Sequence, residues 1–185
     1  MKKAHILILS ALLAGATAVQ AQHHGGRHCG NCPNHGKHQA QRSTELQYNA
    51  DGIELTLVRA FPTVKSVNKT DKWTEAYDAN KKLLGYAVYS KPASDGIRGY
   101  AGETPVLVAL TPKQVVAGVY LLPNLEGPRF IKSINDAGYF ANWNGLSVKK
   151  AIKKEVDAVS GATWSSKAVI ENIRLGLKQA AKKAK

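Results

Sequence analysis

The chain has 185 residues, enough for one domain with a real core, and its 44% hydrophobic content excludes a disordered polymer. A formal charge of +13 favours acidic partners or an anionic membrane surface. Much of that charge reads as solvated lysine, at Lys149, Lys150, Lys153 and Lys154 and at Lys178, Lys182, Lys183 and Lys185, and nucleic acid is not expected as a partner of an exported chain.

Export is what the N-terminus suggests. Lys2 and Lys3 precede an apolar run from Ile6 to Val19, and Val19-Gln20-Ala21 has the small-residue look of a signal-peptidase site. Residues 1–21 are therefore expected to be a cleaved secretory signal, with Gln22 first in the mature chain and the formal charge lowered from +13 to +11. The run is short against the roughly 20 residues of a membrane span, with an uncleaved anchor as the alternative. A periplasmic or other extracytoplasmic location follows as an expectation.

Residues 22–42 form a separate segment that carries His23, His24, His28, Cys29, Cys32, His35 and His38. Two readings stand beside each other. One is a Cys29–Cys32 disulfide in a polar tail, and the other is a site for a transition metal such as zinc or copper, whose usual ligands are imidazole and thiolate. Covalent haem is disfavoured, because Pro33 occupies the place where histidine would follow the second cysteine. Beyond residue 38 there is no histidine or cysteine. That removes Ser-His and Cys-His nucleophile pairs, and any His- or Cys-ligated metal, from the remaining domain, residues 43–185.

Within that domain Asp51 is a candidate cap for a short helix through Ile53, Leu55, Leu57 and Val58 that Pro62 would end, although Ile53, Leu55 and Leu57 also alternate as a strand would. Lys72 to Tyr77 and Leu83 to Tyr89 read as a hairpin around Asp78-Ala79-Asn80. A loop from Ser90 to Arg98 follows, then strands at Pro105 to Leu110 and Val115 to Leu122 around a turn at Thr111 to Gln114, making a meander of about four antiparallel strands. Arg129 to Asn135 suits a short helix with Pro128 in its first turn. Tyr139, Phe140 and Trp143 fit either the core or a ligand pocket.

The last helix shows in the apolar row Val169, Ile173, Leu177 and Ala180, with Ser165 or Ser166 as its expected N-cap. Ser160, Gly161, Ala162 and Thr163 form a tight approach to it. A helix N-terminus attracts phosphate through unpaired N–H groups and a partial positive charge, and the Thr163 hydroxyl sits where it can bond a phosphate or be esterified by one.

The whole pattern Asp157-x-x-Ser160-Gly161-Ala162-Thr163, followed by Ser165-Ser166 and a helix, resembles the flavinylation motif of the FMN-binding domain family. That family includes the extracytoplasmic flavin subunits of sodium-translocating NADH:quinone reductase and of the Rnf complex. The resemblance continues through Gly85-Tyr86-Ala87-Val88 and Gly99-Tyr100-Ala101-Gly102 and spans roughly residues 45 to 183. It implies a flavin transferase that moves FMN from FAD onto Thr163, with Asp157, Ser160, Gly161 and Ala162 recognised by that enzyme, Tyr100 near the ring, and a helix rather than a strand around Leu55; Trp164, as the neighbour of Thr163, is expected to shield or stack on the ring.

Family members often carry Glu-Thr-Pro-Gly after the strand corresponding to Val115 to Leu122. Here Pro123-Asn124-Leu125-Glu126-Gly127-Pro128 stands in that place, with Glu126 and Gly127 reminiscent of it, and Glu103-Thr104-Pro105 lies at the wrong position. The expected fold is α+β, a twisted antiparallel sheet with packed helices and a C-terminal helix after the flavin-attachment loop. The expected function is extracytoplasmic electron transfer by covalent FMN on Thr163, serving a redox partner protein that can be membrane-bound. A secreted metal-binding protein and a non-covalent flavin module are the alternatives.

Overall fold

The computed structural model describes residues 44–182. The expected signal, the His/Cys-rich segment and Lys183 to Lys185 lie outside them. The described elements run α1 (Leu55–Ala60), β1 (Ser66–Lys69), β2 (Thr74–Tyr77), β3 (Leu83–Tyr89), β4 (Val106–Leu110), β5 (Val116–Leu121), α2 (Pro128–Asp136), a 3-10 turn (Tyr139–Trp143), α3 (Val148–Lys153) and α4 (Thr163–Lys182). The five strands form one antiparallel sheet in sequence order, with α4 closing the chain, so the architecture is α+β.

The sheet is organised around β4. All five of its residues are buried, which requires cover on both faces, and its alternating side chains divide two cores between them. Val106, Val108 and Leu110 join Val169, Ile173 and Leu177 of α4 together with Trp143, Val148 and Ala151. Leu107 and Ala109 join Leu57 and Phe61 from α1 and its exit, with Ala76 and Ala87 of the neighbouring strands. Burial of the α4 row is what fixes that helix across the sheet, at roughly 1.5–3 kcal/mol for each large aliphatic side chain.

Three expectations need amendment. The first helix begins at Leu55 with Glu54 in the cap position, so Asp51 does not cap it. The Asn49 side chain accepts from the Asp51 and Ile53 N–H groups at 3.0 and 2.8 Å, a local turn that keeps the chain out of helix for three more residues. A fifth strand, β1, was not expected, because Ser66-Val67-Asn68-Lys69 offers one apolar side chain on an exposed edge. Inside the lysine-rich stretch, Val148, Ala151 and Ile152 form the inner face of α3, which packs on the main core, while Lys149, Lys150, Lys153 and Lys154 are exposed as expected. The helix after Pro128 and the strands β2 to β5 fall within two residues of the sequence reading.

Gly85 shows how closely α1 meets the sheet. A Cβ there would lie 2.2 Å from the Leu110 carbonyl oxygen and 2.7 Å from the Phe61 ring, and neither atom can move without shifting β4 or the second core. Gly85→Ala is expected to cost about 3 kcal/mol, read as a lower urea midpoint with an unchanged slope.

Candidate functional site

The segment before α4 is a closed turn. The Ala162 N–H donates to Val159 O at 3.0 Å, and the Ala162 carbonyl accepts the Ser166 N–H at 2.9 Å, the first bond of the helix. Gly161 sits at φ +75°, and an added Cβ would meet nothing within 4 Å, so the backbone conformation asks for glycine there, not lack of room. The Ser166 hydroxyl fastens the turn from within, donating to Ala162 O at 2.8 Å and accepting the Val159 N–H at 3.1 Å.

Ser165 and Ser166 are therefore not the N-cap. Both lie in the first turn of α4 and are buried, and the cap position falls to Ala162. The physical reason is that each serine has a stronger use elsewhere, Ser166 in bonding back to Ala162 O and Ser165 in a bond to a carboxylate. With no capping side chain taking them, the N–H groups of Thr163, Trp164 and Ser165 are the first-turn donors that an α-helix cannot satisfy internally. They stand at the positive end of a helix of 20 residues.

Across from that turn, Glu126 is only 3% exposed. Its Oε1 accepts the Ala101 N–H at 3.0 Å and its Oε2 accepts the Ser165 hydroxyl at 2.9 Å, while the Ser165 oxygen in turn accepts the Tyr100 N–H at 3.1 Å. The Gly99–Gly102 loop, the exit from β5 and the start of α4 are thus tied through one carboxylate. Gly99 is required by closeness, since a Cβ would come within 2.3 Å of Glu126 Oε1 and 3.1 Å of Ser165. The turn that delivers Glu126 is set by Asn124, whose Oδ1 accepts the Glu126 N–H at 2.9 Å and whose Nδ2 donates to Leu122 O at 2.8 Å.

These segments line a cleft of about 690 Å³. Ser160, Gly161, Ala162, Thr163, Trp164 and Ser165 form one wall, Tyr100 and Glu126 the floor and one rim, and Gly127, Arg129, Phe130 and Ser133 of the α2 region the other wall. The volume lies within the roughly 300–1,000 Å³ usual for small-molecule sites. Thr163 is exposed at its mouth, and Trp164 and Tyr100 are 74% and 87% exposed, large aromatic faces free to cover a planar ring. The donor set fits a flavin held by its phosphate: an open hydroxyl, first-turn amides and a turn without side-chain obstruction at Gly161.

Of the residues expected at the site, Thr163, Ser160, Gly161, Ala162, Ser165, Tyr100, Glu126 and Trp164 come together around this cleft, and Asp157 and Ser166 do not line it. Ser166 is fully buried beneath the turn and Asp157 is exposed before it. Tyr139 and Trp143 belong to the main core, and Phe140 packs against them from the far side of α2. Burial pushes the Tyr139 hydroxyl up to about 12, with the Asp157 carboxylate adding to the rise, so it stays neutral near neutral pH.

The α2 contribution was missed. Pro128 marked where α2 starts, as expected, but nothing local shows which segment that helix faces. Glu103-Thr104-Pro105 is elsewhere, as expected. Glu103 pairs with Lys91 at 2.5 Å, which holds its carboxyl below the usual range, and Thr104 is buried against Asn172. Among the described residues no group of three or more His, Cys, Asp or Glu side chains converges as a metal site, and His23, His24, His28, Cys29, Cys32, His35 and His38 lie outside those residues. Nor is any helix among the described residues long and apolar enough to cross a membrane.

Residues 99–178 match the FMN-binding domain. The chain is 25% identical over 127 residues to one subunit of the Na(+)-translocating ferredoxin:NAD(+) oxidoreductase complex of Acetobacterium woodii, covering 60% of this chain and 57% of that relative. It is 26% identical over 147 residues to the like-named subunit of the proton-translocating ferredoxin:NAD(+) oxidoreductase complex of Clostridium ljungdahlii, covering 76% of this chain and 75% of that one. The chain thus spans little more than half the length of the first of these relatives. A crystal structure of NqrC from Shewanella oneidensis is similar with a TM-score of 0.40 and 19% identity, over 76% of this chain and 79% of that one. Every residue that lines the cleft falls between 99 and 178, the stretch that matches the FMN-binding domain.

Proposed function

We propose that this protein is an exported electron carrier in which FMN is joined to Thr163 by a phosphoester bond. The observation that carries the reading is the exposed Thr163 hydroxyl at the head of α4, beside free first-turn amides and at the mouth of a cleft of ring-holding size. In the attachment step the Thr163 oxygen attacks the flavin-side phosphorus of FAD and loses its proton, the pyrophosphate bond breaks, and AMP leaves. A flavin transferase provides this reaction, and the Asp157 to Thr163 stretch is what it recognises.

Once attached, FMN supplies the electron exchange. The chain's own part is positional. The amides of Thr163, Trp164 and Ser165 face the phosphate, where a helix end stabilises an anion by about 0.3–1 kcal/mol. Trp164 and Tyr100 exclude water from the ring faces, and the Glu126 bonds hold the Tyr100 loop against α4. No general acid or base is needed to pass electrons, which suits a domain without histidine.

The names of the two oxidoreductase-complex relatives support a place beside a membrane redox complex, where partner proteins load and unload the carrier. The Lys2 to Ala21 stretch supports an extracytoplasmic position.

Intact mass under denaturing conditions checks the attachment. Full-length protein co-expressed with a flavin transferase is expected to gain one FMN less water, mapping to Thr163, and Thr163→Ala is expected to keep its fold and carry none. Undiminished covalent flavin in that variant would sink the assignment, and colour released on denaturation of the native protein would favour the non-covalent module instead.

Glu126→Gln tests the brace. It keeps one acceptor and places an amide N–H₂ against a donor, so a loss of about 1–3 kcal/mol is expected by denaturant titration, together with slower flavin incorporation at Thr163. Unchanged stability and unchanged incorporation would show that the three segments are held without it.

A further inference from the structure

We propose that Arg129 is the residue that tunes the potential of the bound flavin, by presenting a positive charge to the cleft that favours the reduced ring. The inference rests on the covalent-flavin reading above. Arg129 is the one cation among the described residues that line the cleft holding Thr163. It is exposed, and no ion pair of Arg129 with a carboxylate is found among the described residues. The nearby carboxylate, Glu126, is engaged with Ala101 and Ser165.

A second observation points the same way. Arg129 lies in the first turn of α2, a helix of nine residues whose N-terminus has no side-chain cap and no acidic residue, and both Gly127 at that cap and Arg129 face the cleft. The positive helix end and the guanidinium therefore add, instead of being neutralised by the Asp or Glu that commonly occupies such a turn.

The redox consequence follows from charge balance. The oxidised ring takes up two electrons and one proton, delivered by the redox partner and solvent, and ends one negative charge richer. A cation held near it stabilises that product over the oxidised ring and raises the potential. It also lowers the pH at which the reduced ring takes its second proton, since that proton removes the charge the cation favours. Arg129 is exposed, so water and salt moderate the effect, and it is expected to shrink as ionic strength rises.

The test uses full-length protein flavinylated in the export compartment, with Arg129→Lys, Arg129→Gln and Arg129→Glu beside the native chain. Mass analysis first establishes one FMN on each. Potentials are then measured by dithionite titration against reference dyes across pH, at low and high salt. At a fixed applied potential, Arg129→Gln is expected to lower the ratio of reduced to oxidised flavin about threefold and Arg129→Glu about tenfold, the latter about 30 mV for a two-electron couple. Arg129→Lys is expected to stay near the native value. The break in the potential-pH plot is expected to move upward in the Gln and Glu variants, and the differences to fade at high salt.

Flavinylated Gln and Glu variants with native potentials would overturn the tuning role while leaving the flavin reading intact. Variants that take no flavin, with Arg129→Lys taking it normally, would put the charge in the attachment step and overturn the tuning role too. A native chain that takes no flavin would defeat the reading beneath both.

Discussion

The buried carboxylate of Glu126 is the constraint on which the cleft depends. Removing a carboxylate from water is costly unless its oxygens find donors, and here one oxygen takes a backbone N–H from the Gly99–Gly102 loop and the other a hydroxyl from α4. Those two donors belong to segments about 65 residues apart in the chain, which the Ser165 bond to Tyr100 also joins. Neither partner is free to leave without stranding the charge. The need for satisfaction thus sets the distance between the loop and the helix, and Gly99 is the residue type that lets them come so near.

α4 serves the core and the site along a single axis. Its buried row, Val169, Ile173 and Leu177, locks it across β4, and its N-terminus then lands where the closed turn of Val159 to Ala162 can present Thr163. Serine at 166 links the two roles. It is fully buried and bonds to both ends of the turn, so the geometry of Thr163 is inherited from the packing of the helix. A hydroxyl positioned by a helix that cannot shift without opening the core is well suited to hold a large group at one place.

How much of this was legible depended on whether the signal was local. The strands β2 to β5 carry continuous or alternating apolar residues between clear turns, and the Ser160 to Thr163 turn declares itself through Gly161 and the apolar row beyond it. β1 and α3 were hidden because their outward faces are polar and their inner faces supply only Val67, or Val148, Ala151 and Ile152, to the cores. The cap of α4 was misassigned for a different reason. Serine at a helix start normally means a cap, and nothing local shows that Ser165 is claimed by Glu126, 39 residues earlier. Arg129 and Phe130 were likewise invisible as site residues, since only the tertiary placement of α2 brings them opposite Thr163.

The two walls of the cleft differ in how firmly they are held. α4 buries ten residues, Val169, Ile170, Ile173 and Leu177 among them, whereas α2 buries Phe130 and Ile134. Local opening free energies scale with such burial, so the wall with the Thr163 hydroxyl belongs to the more stable part of the domain and the wall with Arg129 to a less stable part. This division suits the proposed covalent carrier. Covalent linkage demands a fixed point, while a planar ring whose charge changes on reduction gains from a facing wall that can adjust to it. In the proposed carrier a cation on the adjustable wall would sit where a small rearrangement changes its distance to the ring, and with it the energy of the charged state, without disturbing the linkage proposed at Thr163.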